Sequence, residues 1–199
     1  YCLDVMEVSN TSFITFLDAR ASEGFPNADD EGRPLYDFED DDDDVPARII
    51  DQGDGTYGAT DGYGDHPVVE VYHWAAAAYC AAQGKLLPTE AQWEKAARGT
   101  GDARFPWGDD APDCGLANIR PGAEGVGPDG EVVEPCVGDT VAGGSYPGII
   151  GPFGHLDLAG NAAEWVHDWY LDDYYAAAAD TDPLGPDSGW SDNIPGGGG

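Results

Sequence analysis

Gly84-Lys85-Leu86-Leu87-Pro88-Thr89-Glu90-Ala91-Gln92-Trp93-Glu94-Lys95-Ala96-Ala97-Arg98-Gly99 spells a helix together with both of its ends. The Thr89 hydroxyl is placed to accept the backbone N–H of Gln92. The Gln92 side chain is placed to return a bond to the Thr89 N–H, a reciprocal capping box. Trp93, Ala96 and Ala97 recur at helical spacing and predict a buried stripe, and Gly99 supplies the stop. Immediately upstream, Tyr72 to Gln83 predicts a second helix, with Gly84 set to end it. Further back, Ser9 or Asn10 can cap a helix whose Phe13, Phe16 and Leu17 share one face. Tyr1 to Glu7 reads as an edge strand, and His66 to Val71 as a short strand. Between Gly99 and Gly154 no segment keeps a period, so turns, disulfides or metal ions must pin that chain. Leu156 to Trp169 recovers an apolar pattern in which Trp165 and Trp169 lie four apart.

The chain has 199 residues, with 8 Lys and Arg against 39 Asp and Glu, a formal charge of −31. With 41% apolar residues, including 6 Trp, 10 Tyr and 6 Phe, it has material for a real core, which excludes wholesale disorder. No apolar run is long enough for a membrane-spanning helix. Nucleic acid is excluded as a partner, because phosphate binding needs clustered Lys and Arg. The same charge disfavours an anionic membrane surface. Repulsion among the carboxylates must be relieved, and divalent cations, high external salt and a basic partner would each do so. The salt-adapted reading gains from the scarcity of lysine, Lys85 and Lys95 alone.

From about residue 23 to residue 64 the chain turns polar and acidic and includes Asp40 to Asp44 behind Glu39. A solvated loop kept extended by like charges is the main reading. A calcium-binding surface loop is the sharper one, but an unbroken Asp run lacks the Gly and spaced ligands of an EF-hand. Four cysteines occur, Cys2, Cys80, Cys114 and Cys136, without the spacing of a zinc site. Cys114 and Cys136 flank a polar Gly/Pro-rich loop. A disulfide clamp and two free thiols both fit there, and the clamp would place the protein in an oxidising compartment. The four histidines have no mutual spacing that points to a metal. The start at Tyr1 is read as a mature or trimmed product.

Several blocks then follow in order: His66-Pro67-Val68-Val69; Trp74 with Ala78-Tyr79-Cys80; Gly84 to Gly99; Phe105-Pro106-Trp107-Gly108-Asp109; Ala117-Asn118; and Asp157-Leu158-Ala159-Gly160-Asn161-Ala162-Ala163-Glu164-Trp165-Val166. Together with Asp4 to Asn10 they closely resemble the formylglycine-generating enzyme (sulfatase-modifying factor) family. The resemblance implies one α+β domain over residues 1–199 with an acidic insertion at about 23–64. It implies a fold like that of C-type lectins, with two main helices, a small mixed sheet and long calcium-clamped loops. The tryptophans of these blocks, Trp74, Trp93, Trp107, Trp165 and Trp169, read as core.

The residues make their own argument for calcium. The ion takes six to eight oxygens from carboxylates, amides and backbone carbonyls. Asp157 and Glu164 bracket a tight Gly160-Asn161 turn that can aim two carboxylates and several carbonyls at one point. The bland alternative is a Glu164 that merely caps backbone amides. The resemblance implies ligation by the side chains of Asp157 and Glu164 and the carbonyls of Gly160 and Ala162. It implies a second calcium held by the Asn118 side chain and the Ile119 carbonyl, with Asp129 as the acidic candidate from the following loop.

Family oxidases convert a substrate cysteine with O₂ and a copper ion held by a C-terminal cysteine pair, and thiolates suit Cu(I). No cysteine follows Cys136 here, and Cys114 and Cys136 precede the Asp157 block. The function expected is therefore a non-catalytic, calcium-stabilised binding or accessory module. It is expected outside the cytoplasm (periplasmic, secreted or at the cell surface), with a protein partner or larger assembly. The alternative is a copper-dependent oxidase whose cysteine pair lies beyond Gly199.

Overall fold

A computed structural model describes residues 1–39, 46–120, 134–179, 181–186 and 188–189. Ser9 caps helix α1, Asn10–Ser22, by accepting the Ser12 N–H at 3.2 Å. Such a cap is worth about 1 kcal/mol. The face predicted from spacing is the buried one: Phe13, Phe16 and Leu17 are all sealed from solvent. Helix α2 runs His73–Ala82 and helix α3 runs Glu90–Arg98. The capping box of α3 forms in full, and Gly99 ends it at φ +78°, a conformation that favours glycine. A short helix α4 covers Tyr174–Ala177. The chain is thus α+β with three helices of nine residues or more, where two main helices were expected.

The sheet differs from expectation. Among the described residues it has two antiparallel strands, β1 Ile49–Asp51 and β2 Tyr57–Ala59, with Ile50 opposite Gly58. It is not mixed, and it lies inside the region read as an acidic insertion. That region is no simple solvated loop. Leu35 and Tyr36 are among the most completely buried side chains, and Ile49 and Tyr57 join them. They pack with Phe13, Phe16, Leu17 and Ala75 into the larger core. Sequence reading misses these residues because they stand in ones and twos in an acidic stretch, without a period to reveal them. The run Asp40 to Asp44 lies outside the described residues.

The edge strand predicted at Tyr1 to Glu7 does not form, and the one predicted at His66 to Val71 reduces to isolated bridges, Pro67 with Ser9 and Val71 with Tyr36. Asn10 donates to the His66 carbonyl at 2.9 Å and Val68 to the Val8 carbonyl at 2.8 Å. Pro67 has no N–H to extend the ladder, and Glu70 at φ +58° turns the chain out of strand geometry. Leu156 to Trp169 forms neither helix nor strand, since Asp157, Gly160 and Asn161 all take positive φ. Four-residue spacing there does not make one buried face, so the core reading of two tryptophans fails: Trp165 is 43% and Trp169 54% exposed. Trp165 instead donates its indole N–H to the Val71 carbonyl at 2.7 Å. A second, smaller core joins Ala96, Ala97 and Leu158 and so seats this irregular segment against α3. No helix among the described residues is long and apolar enough to cross a membrane.

Tyr36 shows how the acidic region is tied down. Its hydroxyl accepts the backbone N–H of Arg48 at 2.8 Å and of Ile49 at 3.1 Å. Tyr36→Phe leaves both donors unpaired in the interior, and we expect a loss of about 2 kcal/mol, read as a lower urea midpoint with an unchanged slope.

Candidate metal centre

The turn from Asp157 to Glu164 is built from backbone that most residues avoid. Asp157 has φ +57°, Gly160 +90° and Asn161 +67°. Gly160 is required twice over, because a Cβ there would also strike the Asn118 carbonyl and the Ile119 side chain. Asn tolerates the left-handed region better than other non-glycine residues, and its side chain here repays the choice. Asn161 Nδ2 donates to Glu7 Oε2 at 2.7 Å and to the Val141 carbonyl at 3.1 Å. Its Oδ1 accepts the Val141 N–H at 2.8 Å and Asn118 Nδ2 at 3.3 Å. Its own N–H donates to the Asn118 carbonyl at 2.8 Å.

Asp157, Gly160, Ala162 and Glu164 line one open cavity of about 380 Å³ beside Trp93 and Glu90. The structure therefore brings together all four residues predicted for the first cation. Asp157 also lines a cavity of about 10 Å³ with Asn118, Asn161 and His155. Of the second predicted set, Asn118 donates through Nδ2 to the Asp139 carbonyl at 2.8 Å, and the Ile119 carbonyl accepts the Cys136 N–H at 2.8 Å. Asp129 lies outside the described residues. Among the described residues no three His, Cys, Asp or Glu side chains gather at metal-ligating distance. Any ion here would depend on backbone carbonyls as well as carboxylates. The donors are all oxygen, a set that fits calcium and does not fit zinc or Cu(I).

Electrostatics at the turn point the same way. The Glu7 carboxyl is pushed up to about 8. Desolvation is the main cause, and the charges of Glu164 and Asp157 add to it against the hydrogen bonds from Asn161 and Ala162. Glu164 keeps an exposed face, yet the protein crowded about its carboxyl and then the Asp157 charge raise it as well. The Trp93 indole N–H favours the charged form of Glu164, although by geometry it makes no hydrogen bond. Carboxylates that disfavour one another's charge are relieved by a bound cation. Glu7 was not among the residues predicted for the site. Its block reads as an opening strand and helix cap, and nothing local marks a contact made across 155 residues to the Ala162 N–H.

Behind the turn, Asp139 anchors the loop that carries Val141. Desolvation pushes its carboxyl up, but the Tyr63 hydroxyl, the Thr140 amide and Arg48 together outweigh it and hold it below the usual range. Arg48 reaches Asp139 Oδ2 at 2.5 Å and Tyr63 Oη donates to the same oxygen at 2.8 Å. The Arg48 guanidinium also lies 3.9 Å from the centre of the Tyr63 ring. His66 Nδ1 meets Thr140 Oγ1 at 2.9 Å.

Cys114 and Cys136 form a disulfide with Cα atoms 5.3 Å apart, while Cys2 and Cys80 are free. Burial pushes the Cys80 thiol up, as does the charge of Asp4, so it is a poor thiolate at neutral pH.

A carboxyl held low in the folded state stabilises above its unfolded pKa and loses that contribution as pH falls through the folded value. Asp139→Asn should therefore cost about 2 kcal/mol at pH 7 and progressively less as the pH drops below about 4. Denaturant melts of both proteins across that range will read the converging curves.

Comparison with known proteins bears on the whole turn. The domain family described as "Sulfatase-modifying factor enzyme 1-like domain" matches residues 1–197. The chain is 34% identical over 192 residues to the serine/threonine-protein kinase Pkn1 of Chlamydia trachomatis, covering 95% of this chain and 26% of that protein. It is 40% identical over 133 residues to the formylglycine-generating enzyme of Thermomonospora curvata, covering 63% of this chain and 42% of the enzyme. The corresponding enzyme of Bos taurus is 38% identical over 130 residues, 63% of this chain and 33% of its own. The chain thus spans about a quarter of the kinase and less than half of either enzyme. It belongs to the sulfatase-modifying factor enzyme 1-like domain family, the family of the formylglycine-generating enzymes.

Proposed function

We propose that this chain is a calcium-stabilised binding or accessory domain of an extracytoplasmic protein, and that it does not itself oxidise cysteine. The observation that carries the reading is the shared cavity of Asp157, Gly160, Ala162 and Glu164, an all-oxygen set on a turn with strained backbone. Asp157 and Glu164 would hold calcium by their carboxylates, and Gly160 and Ala162 by their carbonyls. The ion would supply charge neutralisation and a fixed loop, not a reaction. A second calcium at Asn118, Ile119 and Asp129, and a loop-rich fold like that of C-type lectins, belong to the same reading.

Three further observations support it. The Cys114–Cys136 disulfide suits an oxidising compartment. Neither free cysteine lies after the Asp157 turn, and Cys80 is held as a thiol. The 26% of Pkn1 that this chain matches sits in a protein named for another activity, as an appended module would. The acidic surface then serves a basic protein partner or a larger assembly.

The second reading is a copper-dependent oxidase of sulfatase cysteines, with its cysteine pair outside these 199 residues. The 40% identity to a formylglycine-generating enzyme favours it. Both readings meet in one assay series. Thermal unfolding in 1 mM calcium against excess chelator should differ by roughly 5 °C or more, as tight binding to the native state alone requires. With copper, O₂ and a cysteine peptide, no aldehyde should appear. A calcium-indifferent melt contradicts the calcium claim, and aldehyde formation by the full-length protein contradicts the claim that it does not oxidise cysteine and favours the oxidase reading.

A further inference from the structure

Glu7 lies outside the turn, yet both of its carboxylate oxygens are spent on it. Oε2 takes the Asn161 Nδ2 proton at 2.7 Å and Oε1 takes the Ala162 N–H at 3.0 Å. These bonds reach two adjacent residues, so they fix the Asn161 side chain and the Asn161–Ala162 peptide unit together. The Ala162 N–H also approaches the Gly160 carbonyl at 3.0 Å, so the same clamp governs where that carbonyl can point. Nearby contacts seat the segment that carries Glu7: the Leu156 N–H donates to the Val5 carbonyl at 2.8 Å, and Met6 lies close to where Gly143 and Gly144 would carry a side chain.

We propose that Glu7 is the positioning residue of the turn: its bidentate hold on the Asn161 side chain and the Ala162 N–H fixes the peptide that lies between the Gly160 and Ala162 carbonyls, sets where both can point, and couples docking of the N-terminal segment to calcium binding. This rests on the calcium reading above. Glu7 is not assigned as a ligand, since it does not line the cavity shared by Asp157, Gly160, Ala162 and Glu164. Glu7→Gln keeps the size of the side chain but turns an NH₂ toward one of those two donors, so one bond is lost and a carbonyl is freed to swing away. Glu7→Asp keeps the charge but shortens the arm so that it spans only one donor.

The test uses terbium(III) as the calcium probe, excited through Trp93, which shares the cavity with Asp157 and Glu164. Luminescence lifetimes in H₂O and D₂O count the waters on the bound ion. Calcium affinity is read by competition against terbium, and circular dichroism well below the melting temperature establishes that each variant is folded. For Glu7→Gln we expect at least tenfold weaker binding and about one additional bound water, the place of a lost carbonyl. For Glu7→Asp we expect a smaller loss in the same direction. A residue with a merely structural role lowers the melting temperature in chelator but leaves affinity and water count alone. That result in a folded variant overturns the inference while the calcium reading stands. Wild-type protein that binds neither ion overturns both.

Discussion

The Asn161 carboxamide holds three distant stretches of chain in one place. It contacts Glu7, Asn118 and Val141 at once, from a backbone conformation that few residues adopt. Half-buried amides that satisfy both ends of their side chains specify geometry more than they add stability. Here they specify a turn whose carbonyls cannot pair within a helix or strand, because Asp157, Gly160 and Asn161 forbid both. Everything proposed for the cation follows from that constraint. A turn barred from regular structure keeps oxygens available, and hydrogen bonds from elsewhere in the chain keep them aimed.

Charge sets the second constraint. With 8 basic side chains against 39 acidic ones, most carboxylates have no cation in the chain to pair with. The pairs that form draw on Arg20, Arg33, Arg48, Lys85 and Arg98. Most of them are exposed and add little to stability. Arg48 differs, being half-enclosed between Asp139 and the Tyr63 ring, and it links the acidic region to the loop behind the turn. Among the described residues no such cation reaches Glu7, Asp157 and Glu164, whose carboxyls are crowded instead of paired. A divalent ion would relieve them without calling on the chain's few basic residues.

The sequence made parts of this plain and hid others for physical reasons. The capping box at Thr89 and the stripe of α1 are local patterns that the fold keeps. That Asp157, Gly160, Ala162 and Glu164 share one cavity could be anticipated because they lie within eight residues of one another, and the resemblance suggested their roles. Glu7 could not be, since its meaning depends on a partner 154 residues away. Tyr36 and Leu35 were hidden by their acidic surroundings: composition reports the average of a segment, while burial is decided one side chain at a time. The exposed Trp165 and Trp169 mark the opposite error, in which a helical spacing was read into backbone that is not helical.

The most direct test of the central claim is a crystal structure of the protein grown with calcium, with anomalous data collected at long wavelength. We expect one anomalous peak at the turn, within about 2.3–2.6 Å of carboxylate oxygens of Asp157 and Glu164 and of the Gly160 and Ala162 carbonyls. An ordered turn in millimolar calcium, holding the same Glu7 and Asn161 hydrogen bonds but no ion, would contradict it.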